Sequence, residues 1–187
     1  MSDTLLTEIG SILGSEEILR LIKDKKMISC FGQSIEKQIQ PEGFDLTVQC
    51  INEFVSRGDL LIDSEKKTVS RVKEHWCKKD IYYLERGEYQ IIFNEEVRLP
   101  KNIHMFTVQR SSCPRCATIM HVGSWDAGYK GRGAMTLFVG KQGIAIQKNV
   151  AIVQAHFFRV LGKNFGYNGT YQNEKLEKEE SKSEVNE

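Results

Sequence analysis

Residues 109 to 120, QRSSCPRCATIM, set an arginine, two serines, a second arginine and a Cys-x-x-C pair in one short run. Arg110 offers a planar fork of donors to phosphate oxygens. Ser111 and Ser112 each offer a hydroxyl and a backbone N–H, and Arg115 adds a second guanidinium, so the polar members suit a polyphosphate. The cysteines admit other chemistry. A structural zinc site takes four ligands, usually from two paired knuckles. Here only Cys113 and Cys116 form such a pair, and His75 with Cys77 supplies no matching one, although His104, His121 and His156 could donate in principle. A thioredoxin-like pair belongs where a strand runs into a helix. Cys116 leads instead into ATIMHVGSWD, a strand-like run and then a turn. The preferred reading is of two small, partly buried residues beside a functional turn.

A second constellation is GSWDAGYKGRG, residues 123 to 133, where glycines space an acid, an aromatic and two cations. Glycine at this density predicts a β-hairpin whose backbone approaches a ligand closely. Asp126 would be an acceptor at its mouth and Tyr129 a flat face with a hydroxyl tip. The alternative is an ordinary hairpin, with Asp126 capping a local N–H and Tyr129 packing on a neighbour. Local chemistry leaves both open.

The elements that must position these residues read as mainly β. The run SEEILRLIKDKK predicts one amphipathic helix near the N-terminus, with Ser15 as its cap and Ile18, Leu19, Leu21 and Ile22 on its apolar face. Beyond it, GDLLID, TVSRV, IYYLERGEYQIIF, IHMFTVQ, GAMTLFVG and AIVQAHFFRV are rich in β-branched and aromatic residues. Frequent short strands with Gly-rich turns favour a sandwich or jelly roll over a parallel sheet with crossover helices. The 187 residues suit one domain over 1–172, followed by a charged tail, 173–187, expected to be disordered and outside any site.

A net charge of +1 creates no global field for a polyanion, so no polymeric nucleic acid is expected as partner. No run is long and apolar enough for a membrane span, and no secretory signal is visible, which predicts a cytoplasmic protein without a membrane partner. Five scattered cysteines in such a setting argue against a disulfide framework.

Taken together and in this order, the motifs resemble the superfamily of homotrimeric dUTPases and dCTP deaminases, over about residues 15 to 172. QPEGFDL carries Asp45 at the acidic position of the first motif. QRSSCPR is similar to the arginine-serine-serine phosphate motif, WDAGYKG to the Asp-x-Gly-Tyr hairpin, and NVAIVQAHF to the glutamine-bearing strand, through Gln154. LERGEYQIIFNEEVRLP resembles the strand, turn and strand before the phosphate motif, and YNGTYQ a closing tail segment. The resemblance implies a jelly-roll-like distorted β-barrel and a homotrimer with active sites at subunit interfaces.

It also implies a choice of reactions. In the deaminases a glutamate on the strand after the hairpin activates the attacking water, and a gapless alignment puts Thr136 there. Residues 127 to 149 contain no Asp or Glu, and threonine cannot replace a carboxylate as a general base at neutral pH. The hydrolase reading keeps its carboxylate: Asp126 would activate a water attacking the α-phosphorus of dUTP, giving dUMP and pyrophosphate. Arg110, Ser111, Ser112, Gln154, Tyr171 and Gln172 are then expected substrate contacts, and Arg115 a phosphate or interface residue. Tyr129 would lie under the deoxyribose and exclude a 2′-hydroxyl. The hairpin backbone, from Gly123 onward, would read uracil. Mg²⁺ is the implied cofactor, held mostly by phosphates and waters, with Asp45 meeting its shell through water. Cys113, Trp125 and Val139 depart from residues common in the family, the latter two beside the base pocket. The alternatives are a dCTP deaminase, including a bifunctional one that also hydrolyses its product, and a silent nucleotide-binding module.

Overall fold

The structure is a computed structural model that describes residues 11–121 and 123–176. Helix α1 (Ser15–Lys25) buries Ile18, Leu21 and Ile22. Each such side chain contributes roughly 1.5 to 3 kcal/mol. Its cap is Gly14, so Ser15 is the first helical residue, and its N–H donates to the Pro41 carbonyl at 2.8 Å. Leu19 lies at the helix edge, partly open to solvent.

After β1 (Ile28–Ser29), a single turn α2 (Ile35–Gln38) and β2 (Ile39–Gln40), the chain enters the long strand β3 (Gly43–Phe54). Next come β4 (Val72–Glu74), β5 (Ile81–Leu84), β6 (Gly87–Arg98) and β7 (Ile103–Gln109). A short helix α3 (Ser112–Arg115) then precedes β8 (Thr118–Met120), β9 (Ser124–Trp125), β10 (Lys130–Val139), β11 (Ile144–Gln147) and β12 (Ala151–Arg159). One sheet runs in the order β8-β10-β6-β3-β12-β7-β9, with β1 on β6 and β2 and β4 on β3, all antiparallel. β5 and β11 form a separate pair.

The fold is mainly β, a curled half-barrel of the jelly-roll kind. Its core is filled by inward residues such as Phe44, Leu46, Ile91, Phe93, Met105, Leu137, Val153 and Phe157, each at most 1 % exposed. These alternate with more open positions along β7 and β12, as strand geometry requires.

The run GDLLID makes no strand. It carries an isolated bridge from Asp59 to Thr68 and leaves Leu60, Leu61 and Ile62 exposed, because among the described residues no strand pairs with it. Among the described residues no helix is long and apolar enough to cross a membrane.

Candidate active site

The first motif and the Arg-Ser-Ser turn meet through sheet register. β12 lies between β3 and β7, which sets Gln154 opposite Asp45 on one side and Val108 on the other. Arg110, just past the end of β7, reaches back and forms an ion pair with Asp45. Asp45 is 1 % exposed; its Oδ2 also accepts from Gln40 Nε2 at 3.0 Å, and its Oδ1 is buried without a hydrogen-bond partner. The arginine therefore stands on a buried counter-charge that fixes where its fork points.

Behind this pair lies a buried carboxylate. Glu95 on β6 accepts hydrogen bonds from Thr47 N–H (2.8 Å), Thr47 Oγ1 (2.6 Å), Gln38 Nε2 (2.6 Å) and Gly32 N–H (3.3 Å). Gln38 Nε2 also donates to the Asp45 carbonyl at 2.8 Å. Burial pushes the Glu95 carboxyl above its ordinary range, against the lowering effect of those donors. The network ties α2 and β6 to the strand that carries Asp45.

Beyond Arg110 the chain turns into α3. Ser111 caps it, Ser111 and Ser112 are exposed, and Arg115 donates to the Ser111 carbonyl at 2.8 Å. Cys113 is buried against the Ile152 carbonyl (3.5 Å), and burial pushes its thiol up. A thiol held protonated is a poor nucleophile and a poor metal ligand. Cys116 is exposed. Among the described residues no cluster of three or more His, Cys, Asp or Glu is arranged to hold a metal ion.

The hairpin builds the second half of the site. Asp126 is exposed at its turn, and its carbonyl accepts from Tyr129 N–H at 3.0 Å. Gly123 is clamped to β7: its N–H donates to Thr107 Oγ1 at 3.0 Å and its carbonyl accepts from Thr107 N–H at 3.0 Å. Gly133 and Gly131 are required by close approach. A Cβ at Gly133 would lie 2.6 Å from the Trp125 ring, and one at Gly131 would lie 2.4 Å from the Tyr129 hydroxyl. These glycines thus make room for the hairpin's own aromatics, a reason the spacing alone did not disclose.

Tyr129 is 3 % exposed. Its hydroxyl donates to Glu174 Oε1 at 3.1 Å and its ring meets Tyr167 edge-on at 5.7 Å. Burial first, and then the Glu174 carboxylate, push its phenol well up. The partner comes from beyond the expected end of the ordered chain. Gln172 donates to the Gly128 carbonyl (3.0 Å) and accepts from Lys130 N–H (2.8 Å); Asn173 N–H donates to the Lys130 carbonyl (2.7 Å), and Arg132 N–H to the Glu174 carbonyl (3.0 Å). The segment from Tyr167 to Glu174 is thus a strap on the hairpin, and residues 173 and 174 belong to it. The rest of the expected disordered tail, from residue 177, lies outside the described residues. Tyr171 is partly exposed, with Lys67 Nζ 5.8 Å from its ring centroid.

Strap, hairpin and sheet enclose a cavity of about 360 Å³, whose lining includes Gln90, Gly123, Trp125, Thr136 and Glu174. A cavity of about 560 Å³ adjoins it, sharing Phe54, Gln90, Ala134 and Glu174 and adding Tyr171. Thr136 and Gln90 face each other across β10 and β6. A pocket of mixed polar and apolar lining beside an exposed carboxylate suits a nucleoside with its phosphates at the rim.

A family model described as dCTP deaminase-like matches residues 12–160. The chain belongs to the dCTP deaminase-like family. A probable deoxyuridine 5′-triphosphate nucleotidohydrolase of Methanosarcina acetivorans is 34 % identical over 167 residues, 88 % of this chain and 98 % of that protein. One of Archaeoglobus fulgidus, carrying the same description, is 32 % identical over 168 residues, 89 % of this chain and 99 % of that protein. Among solved structures, the 2′-deoxycytidine 5′-triphosphate deaminase from Agrobacterium tumefaciens superposes with a TM-score of 0.64 at 18 % identity, covering 80 % of this chain and 48 % of that one. The chain thus spans about half the length of that deaminase, and the likeness is one of fold.

In this dCTP deaminase-like chain, Asp45, Arg110 and Gln154 form one group and Gly123, Asp126, Tyr129, Tyr171 and Gln172 another. Gln90, Asn52 and Glu174 carried no motif signal. Only strand register and the strap bring Gln90 and Glu174 to the cavity, with Asn52 hydrogen-bonded behind Gln90.

Proposed function

We propose that this protein hydrolyses dUTP to dUMP and pyrophosphate. The observation that carries the reading is that the hairpin keeps an exposed aspartate while the strand after it offers the cavity a threonine and no carboxylate. Thr136 lines the cavity from the β10 position that the family resemblance gives to a deaminating carboxylate, while Asp126 is exposed at the hairpin turn. The probable dUTP nucleotidohydrolases matched over nearly their whole length support it.

In this scheme Asp126 takes a proton from water as the water oxygen bonds to the α-phosphorus. The bond from that phosphorus to the bridging oxygen breaks, and pyrophosphate leaves with its electron pair. Arg110, Ser111 and Ser112 neutralise and orient the phosphates, and Arg115 stands beside them. Tyr129 forms the floor for the deoxyribose, Gly123 and the hairpin border the base, and Tyr171 and Gln172 close the strap over it. Gln154 acts from beneath the phosphate turn.

The triphosphate brings its own Mg²⁺, since that ion keeps most of its water and takes few protein ligands. The residues here fit such a metal only at second hand. Asp45 Oδ1, buried and without a partner, is the atom that a metal-bound water would satisfy.

A homotrimer with shared sites would account for the separation of the two groups. Trp125 pairs with Met105 on β7, and Arg110 lies five residues farther on. At a strand's rise that is about 17 Å, too far for Arg110 and Asp126 of one copy to share an α-phosphate. A second copy would bring the arginine turn to the hairpin.

Deamination of dCTP is the second reading, and one observation favours it: Glu174 brings a carboxylate to the cavity that Thr136 lines. Product analysis separates the two. The protein with Mg²⁺ is incubated with dUTP, dCTP, UTP and dTTP, scoring pyrophosphate and ammonia. Pyrophosphate from dUTP alone is expected; ammonia from dCTP would overturn the hydrolase reading, and binding without any product would make the protein a silent module.

A further inference from the structure

We propose that Gln90 is a specificity-determining residue that selects uracil over cytosine by donating a hydrogen bond to the 4-keto oxygen, a proposal that rests on the nucleotide reading above.

Gln90 is the middle member of a polar row across three adjacent strands. It lies opposite Asn52 on β3 and opposite Thr136 on β10. Asn52 Nδ2 donates to Gln90 Oε1 at 3.1 Å. That bond orients the amide, directing its Nε2 away from Asn52. Gln90 and Thr136 both line the 360 Å³ cavity, whereas Asn52 stands behind them. Among the described residues neither Gln90 Nε2 nor Thr136 Oγ1 has a hydrogen-bond partner, so the cavity wall offers a fixed donor beside a hydroxyl.

Uracil presents a keto oxygen at position 4 and an N–H at position 3. A donor amide meets the first and the threonine hydroxyl accepts from the second. Cytosine presents an amino group and a bare nitrogen instead, so its amino hydrogens face the Gln90 N–H and both are left without acceptors. A site built to hydrogen-bond one edge rejects the other mainly through groups left unpaired. Thr136 thus takes part in recognition at the place where it cannot supply deamination chemistry.

The test measures the affinity of α,β-imido-dUTP and α,β-imido-dCTP by calorimetry for wild type, Gln90→Ala, Gln90→Glu and Asn52→Ala. α,β-Imido-UTP is the control for sugar discrimination. The uracil preference is expected to fall about tenfold in Gln90→Ala and to reverse toward cytosine in Gln90→Glu, where an acceptor replaces the donor. Asn52→Ala should give a smaller fall, because the glutamine amide can then rotate. Discrimination against the ribose analogue should stay at the wild-type value. Equal binding of the two bases by wild type, or an unchanged ratio in Gln90→Ala, would overturn the proposal. So would a parallel loss of sugar discrimination, which would mean that Gln90 only shapes the cavity. Because the readout is binding, missing pyrophosphate release would remove the hydrolase reading without deciding this one.

Discussion

Arg110 and Asp45 form an ion pair in which the carboxylate is sealed and the guanidinium is partly open to water. The acid of the first motif therefore works first on the arginine of the Arg-Ser-Ser turn. Asp45→Asn should raise the KM for dUTP more than it lowers kcat. Because Arg110 can turn into solvent, the stability lost should be about 1 to 2 kcal/mol rather than the larger cost of opening a sealed pair. Urea denaturation and steady-state kinetics measure the two effects. Unchanged KM would detach Arg110 from the substrate.

Asp126 is exposed, and among the described residues its one hydrogen bond is the backbone contact at its turn. Asp126→Asn should abolish pyrophosphate release while α,β-imido-dUTP still binds and the melting temperature stays near wild type. A turnover within tenfold of wild type would remove Asp126 from the role of base.

Tyr129 is a core residue and, in the proposed function, the floor for the sugar, so its substitutions divide. Tyr129→Phe keeps the ring and loses the bond to Glu174, at about 1 kcal/mol, and should still exclude UTP. Tyr129→Ala should admit UTP and also cost about 3 kcal/mol or more through the cavity left behind. Sugar selectivity lost in the phenylalanine variant would place recognition on the hydroxyl rather than the ring.

The strap gives a local prediction. Gln172 satisfies the Lys130 N–H and the Gly128 carbonyl together. Gln172→Ala should speed hydrogen exchange at Lys130 and Arg132 well beyond any change in the core strands, since an element held by few contacts opens on its own. Uniformly unchanged exchange would mean that the strap is held without this side chain.

Glu95 supplies a pH dependence whose sign follows from burial. Its folded pKa is raised, so its contribution to stability is complete below the unfolded pKa and is lost as pH rises through the folded one. Glu95→Gln removes that titration but turns an amide N–H toward donors, destabilising the protein by about 1 to 3 kcal/mol. The advantage of wild type over the variant should be largest in acid and shrink toward neutral pH. Urea midpoints across that range measure it, and an advantage that grows with pH would refute the assignment.

Some of this was legible in residue types alone. Richness in β-branched and aromatic residues marked β7 and β12 to within a residue, because such side chains fit a pleated, half-buried surface. The Arg-Ser-Ser turn and the Asp-Ala-Gly-Tyr hairpin were visible because their chemistry is compressed into a few neighbours. The GDLLID run misled, since apolar composition makes a strand only where a partner edge exists.

What the tertiary structure alone decided lies between strands. That Asp45 serves Arg110, that Gln90 stands between Asn52 and Thr136, and that Glu174 closes on Tyr129 depend on register and on where the strap docks. Those are set by the shared packing of distant segments, which local spacing does not encode.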